Sequence, residues 1–149
     1  MEINGLPLHV LALHAAVILG PLSALVAIAY AVLPSWRDRL RWVTLVAVLI
    51  GVGAIWVTYL SGESFFESSR FDNVRGEALD KIEKHEEYAE TLRLMASAFG
   101  LVTIVATWLH DRAGGVRMLL SALVVVTAAL TLVWTILTGD AGAQAVWGS

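Results

Sequence analysis

The stretch LHVLALHAAVILGPLSALVAIAYAVL, residues 8–33, decides the fold. Apart from two histidines, Ser23 and Tyr30 it is apolar or small throughout. As a helix it is long enough to cross the ~30 Å hydrocarbon core, which takes about 20 residues. Three more apolar runs follow at residues 42–60, 88–109 and 116–138. The 149 residues are 58% hydrophobic and 15% charged, a balance seldom met in a soluble domain of this size. The expectation is an all-α, polytopic membrane protein. It is a four-transmembrane-helix up-down bundle filling residues 1–149 as one domain. The first run lacks a basic start and a small-residue cleavage site, so it reads as a retained helix.

Charge sets the expected orientation. The short segments after the first and third runs hold Arg37, Arg39 and Arg41, and Arg112 and Arg117. By the positive-inside rule both face the cytoplasm, which puts the N and C termini outside a bacterial inner membrane. Trp36, Trp42 and Trp108 suit interfacial anchors. Gly20-Pro21 predicts a kink in the first helix.

The outer loop is expected at residues 61–73. Phe65, Phe66 and Phe71 lie among polar residues there and suit a segment on the bilayer surface or capping the bundle. Asp72 or Asn73 can N-cap the next helix. Pairs Glu77–Lys81 and Asp80–Lys84 at i,i+4 support it. With no breaker before the third run, one long helix is expected over residues 74–110, extending outside the membrane. The fourth helix is expected to end at 138, and no internal repeat stands out.

Small and hydroxyl residues recur at three-to-four spacing in every run, and in lipid such stripes mark faces that pack together. They run through His9, Ala12, Ala16, Ser23 and Ala27, and through Thr44, Ala47, Gly51, Ala54, Thr58 and Ser61. In the second half they run through His85, Ala89, Leu92, Ala96, Gly100, Thr103 and Thr107, and through Ser121, Val124, Ala128, Thr131, Thr135, Thr138 and Gly142.

Three of the four histidines, His9, His14 and His85, fall at the outer end. His9 and His85 lie on inward stripes at matching depth. His14 lies about 7.5 Å deeper than His9 and about 140° around the helix, so the two do not form a one-face chelating pair. It sits inside an apolar run, where an ionisable side chain is a functional candidate by default. Glu63 and Asp140 can add carboxylate ligands, and mixed imidazole and carboxylate ligation suits zinc, with copper an alternative. Arg93 pairs with Glu90 at i,i+3, or meets an anionic group such as a haem propionate or a lipid phosphate. His110 beside Asp111 fits a helix C-terminus.

Cysteine is absent, which excludes disulfides, thiolate metal sites and covalent haem attachment. No HExxH, serine elbow or phosphate loop is present, so the chain reads as a binding protein rather than an enzyme. Nothing suggests nucleic acid as a partner.

Gly5-Leu-Pro-Leu-His-Val-Leu-Ala-Leu-His14, Gly20-Pro21, Ser61-Gly-Glu63, His85-Glu-Glu-Tyr-Ala-Glu-Thr-Leu92 and the tail Gly139-Asp-Ala-Gly-Ala-Gln-Ala-Val-Trp-Gly148 carry a resemblance over essentially the whole chain. They resemble the bacterial four-helix membrane family catalogued as domain of unknown function 2231, in its actinobacterial form. Members fused to Rieske or cytochrome c domains imply membrane redox work and haem b, with His9, His14 and His85 at the matching positions. Some relatives carry histidine where this chain has Asp140. The resemblance thus implies electron transfer with a separate redox protein or respiratory complex as partner. A zinc or copper site and a cofactor-free structural or assembly subunit are the competing readings, and a homo-oligomer stays open.

Overall fold

The computed structural model describes residues 2–3, 6–66 and 74–148. A short antiparallel ribbon, β1 (Glu2–Ile3) with β2 (Leu6–Pro7), precedes four helices: α1 (Leu8–Val32), α2 (Arg37–Phe66), α3 (Glu77–Trp108) and α4 (Gly114–Trp147). All four are long and apolar enough to cross a membrane. Each packs on its neighbours in chain order, and α4 closes the ring against α1. The outward faces are as apolar as the interior: Ile18, Leu101, Met118 and Ile136 are all more than 60% exposed. That distribution suits lipid as the surrounding solvent.

The inner faces follow the small-residue stripes. Ala24, Ala27, Val48, Ala96, Phe99, Thr103, Val124 and Ala128 are fully buried. In α2 the stripe is displaced: Val48 and Ile55 are buried, whereas Ala47 and Ala54 are only half-buried. Closest approach falls at Gly51, where an added methyl would collide with Ser23 Oγ and stand 2.8 Å from the Leu19 carbonyl oxygen. Ser23 spends its hydroxyl on Gly20 O at 2.7 Å, so no polar group is stranded at the crossing. α1 runs unbroken through Pro21.

Four boundaries differ from expectation by three residues or more, the first being the start of α2 at Arg37 rather than 42, which makes Arg37, Arg39 and Arg41 helical. α2 continues through Ser61, Gly62 and Glu63 to Phe66, so most of the segment expected as outer loop up to that point is helix. α4 continues through Gly139 and Asp140 to Trp147. Both extensions pass glycines that read as helix ends, and two of them turn out to be contact points for imidazole rings. α3 begins at Glu77 rather than 74, with Gly76 at its N-cap in a left-handed conformation (φ 65°) and no side-chain cap. Phe71 and the expected caps Asp72 and Asn73 lie outside the described residues. The Glu77–Lys81 ion pair forms at 2.7 Å, but Lys84 turns to the face of Tyr88 instead of Asp80.

The two hairpins repeat one burial pattern. The buried α1 positions Ala16, Gly20, Ser23, Ala24, Ala27 and Tyr30 map at constant shift onto Leu92, Ala96, Phe99, Gly100, Thr103 and Ala106 of α3. Thr44, Val48, Gly51, Ile55 and Ser61 of α2 map likewise onto Val124, Ala128, Thr131, Thr135 and Ala141 of α4. The bundle is thus two similar α-hairpins side by side, a repeat that residue identities conceal.

Replacing Gly51 with alanine should destabilise the α1–α2 packing by about 1–3 kcal/mol, the usual cost of overpacking. Gly53→Ala, with nothing within 4 Å, should be neutral or slightly stabilising. Thermal or detergent-induced unfolding of the purified protein checks both.

Candidate functional site

A histidine opens the buried face of the first helix in each hairpin. His9 lies in the first turn of α1, and its Nδ1 is 3.0 Å from the carbonyl oxygen of Thr58 on α2. Its ring lies over Gly62, where an added methyl would stand 3.1 Å from Cε1 and Nδ1. His85 on α3 repeats the arrangement on α4. Its Nδ1 is 3.0 Å from Thr138 O, and a methyl at Gly142 would stand 2.9 Å from its Cε1. In each case the ring sits against the helix backbone one turn beyond the carbonyl that it contacts, which only glycine allows.

A carbonyl oxygen can only accept, so Nδ1 carries the proton in both rings. In the neutral form Nε2 is then left with its lone pair, the state in which an imidazole coordinates a metal. The backbone does here what a carboxylate does beside many metal-bound histidines: it fixes tautomer and ring orientation together. The two ring centroids are 6.4 Å apart at 70°, on diagonal helices facing across the bundle axis. Phe65 stacks on His9 at 6.1 Å and lines the same cavity.

Both rings line a cavity of about 670 Å³. Val10, Leu13 and Val17 wall it from α1, Ile55 and Tyr59 from α2, Ile82 and Leu92 from α3, and Thr135, Val146 and Trp147 from α4. Its size falls in the range of small-molecule and cofactor sites, ~300–1,000 Å³, and its walls are mainly apolar with few converging polar groups. Thr138 Oγ1 is buried there without a hydrogen-bond partner among the described residues.

The other sequence-derived candidates are not brought together. His14 is exposed, and its Nδ1 turns back to Val10 O of its own helix at 2.8 Å. Glu63 sits exposed at the cavity rim and accepts from Tyr59 OH at 3.0 Å. Asp140 is exposed on α4 and accepts from Gln144 Nε2 at 2.7 Å. Arg93 lies between the faces of Trp56 and Tyr59, at 5.1 and 4.4 Å, and 3.6 Å from Glu90. It is not among the residues lining the cavity. The mixed imidazole–carboxylate metal set therefore does not assemble: among the described residues no three His, Asp or Glu side chains could hold one ion. His14 faces outward because five residues carry it away from the side of His9, and Asp140 because α4 stays helical past Gly139.

Sequence reasoning put Gly142 on an inward stripe but passed over Gly62, the carbonyls of Thr58 and Thr138, and the contact of each glycine with an imidazole. A signal exists in the Thr-x-x-x-Gly spacing at Thr58–Gly62 and Thr138–Gly142. It is masked by the look-alike pair Leu60-Ser-Gly-Glu63 and Leu137-Thr-Gly-Asp140, whose second glycine, Gly139, touches nothing within 4 Å.

Gly142→Ala should lift His85 off Thr138 O, while Gly139→Ala leaves it in place. The imidazole ¹⁵N spectrum of histidine-labelled protein reads this directly, as loss of the Nδ1–H tautomer signature for His85 alone. The lost hydrogen bond should cost about 1 kcal/mol in unfolding. No curated protein and no solved structure matches the chain. Its four membrane-length helices agree with a family match: the chain belongs to the family described as Predicted membrane protein (DUF2231), whose model matches residues 5–149.

Proposed function

We propose that this membrane protein binds haem b through His9 and His85 and serves in membrane electron transfer. The observation that carries the reading is the matched pair of Nδ1–H···O=C bonds. They leave two Nε2 lone pairs on facing helices beside an apolar cavity. Two imidazoles are one ligand pair by which a protein can hold haem, and the cavity has cofactor dimensions. Gly62 and Gly142 keep the rings against the helix backbones, which leaves the space between the helices open. Bound there, the group would supply a one-electron couple, with apolar walls and restricted water access tuning its potential. The chain's own part is to hold both rings in one tautomer, exclude water and present the site at one end of the bundle. Arg93 is committed to Trp56, Tyr59 and Glu90 and has no part in this reading. By the positive-inside rule the arginines at the opposite end support an outer-face position for the pair in a bacterial inner membrane, with both termini outside and a separate redox protein on that side as the electron partner.

One observation favours a second reading, a structural subunit without cofactor. Each Nδ1 bond also ties neighbouring helices, α1 to α2 and α3 to α4, so the histidines can serve as clasps alone.

Visible spectra of protein purified in detergent after expression with ample haem separate the two. The haem reading expects a Soret band and low-spin α and β bands on reduction. His9→Ala and His85→Ala should each abolish the low-spin form, and His14→Ala should leave it unchanged. No Soret band in the parent protein, with His9→Ala and His85→Ala lowering only thermal stability, would leave the clasp reading standing.

A further inference from the structure

The end of the bundle opposite the histidine pair carries a second buried polar cluster. Tyr30 of α1 is 1% exposed, and its hydroxyl lies 3.0 Å from Ala106 O and 3.1 Å from His110 Nδ1. His110 Nε2 in turn lies 2.9 Å from Asp38 Oδ1. Asp38 follows Arg37 in sequence, but consecutive helical residues do not face each other, and its carboxylate is committed to His110.

Arg37 is left without an anion. It is 4% exposed, lies 4.4 Å over the Tyr30 ring, and reaches Ser121 Oγ at 3.4 Å through Nη1. Its Nε is buried with no partner among the described residues. Arg41, one turn on along α2, donates Nε to Thr107 O at 3.1 Å and lies 5.0 Å over Trp42. Neither has a carboxylate within ion-pair distance among the described residues. Arg117 stands one turn before Ser121 on α4, on the side that Arg37 reaches. A guanidinium brings five N–H donors, and a buried one without a counter-charge is costly. The missing partner is an anion with several acceptor oxygens.

We propose that Arg37 and Arg41, flanked by Arg117, hold a phosphate group at the basic end of the bundle. Phosphate offers a forked guanidinium more acceptors than a single carboxylate does. The same chemistry comes from an anionic phospholipid headgroup or from free phosphate, and basic pockets between transmembrane helices are known settings for the former.

The test uses the full-length protein in detergent, with native mass spectrometry against phosphatidylglycerol and, as the phosphate-free control, diacylglycerol. A parallel arm follows inorganic phosphate alone by ³¹P NMR line broadening. Retention of phosphatidylglycerol over diacylglycerol, weakened about tenfold or more by Arg41→Gln, is the expected result, since a hydrogen bond to a charged group is worth about 1.5–3 kcal/mol. Arg41 is only half-buried, so this variant decides the matter even if Arg37→Gln fails to fold. Arg39→Gln, exposed and near the Trp36 ring at 5.8 Å, should change nothing. Broadening by inorganic phosphate that Arg41→Gln removes supports the site with the free anion as a source; lipid retention without it assigns the headgroup. No preference for either phosphate species, or an equal loss with Arg39→Gln, overturns the proposal.

Discussion

Helices in hydrocarbon gain little by hiding apolar surface from one another, because lipid tails are as apolar as leucine. What holds them is close contact, and close contact needs small side chains where the backbones meet. The rest of this bundle depends on that constraint. At Gly51 the α2 backbone comes within reach of Leu19 O and Ser23. Through the middle, fully buried Ala24, Ala27, Ala96 and Ala128 keep the four helices together. At the histidine end the space near the backbones of Gly62 and Gly142 is filled by imidazole rings rather than by the facing backbone. That is where a cavity opens, so dense packing in the middle and space at one end have the same residue logic.

The four spans and three of the four inward stripes were legible, because periodicity and length report directly on what faces lipid. So was the separation of His14 from His9, since it follows from helix geometry alone. The extensions of α2 and α4 were not. Glycine reads as a helix end when its surroundings are unknown, and only the partner rings show that Gly62 and Gly142 are sites of approach. The displaced stripe in α2 has a related cause: size marks a residue as able to be inside, but Val48 and Ile55 are inside because the facing helices leave room for them. The repeat was hidden for a stronger reason. Burial is what recurs between hairpins, while identities such as Tyr30 against Ala106 or Ser23 against Phe99 share nothing.

The two ends of the repeat carry different chemistry. At the histidine end equivalent positions keep equivalent groups: histidine over glycine, with a threonine carbonyl taking the Nδ1 proton in each hairpin. At the basic end the equivalence is broken. Tyr30 answers to Ala106, and the hydroxyl of one lies against the carbonyl of the other. An arrangement that repeats across the bundle axis suits a ligand that is itself nearly symmetric about that axis, or one that two identical donors hold from opposite sides. An arrangement that has lost the repeat cannot be selected for the same purpose.

This asymmetry bears on whether the histidines are clasps or ligands. A clasp needs only to tie its own hairpin, and any donor of suitable length would do so separately in each half. It gives no reason for the two rings to face each other 6.4 Å apart, or for helix backbones to be cleared of side chains beneath both. His14 shows what an unpaired histidine does in this chain: it turns outward and bonds its own helix. His9 and His85 instead commit Nδ1 to a neighbouring helix and keep Nε2 for another partner, and that is why the pair, rather than the count of histidines, carries the functional reading.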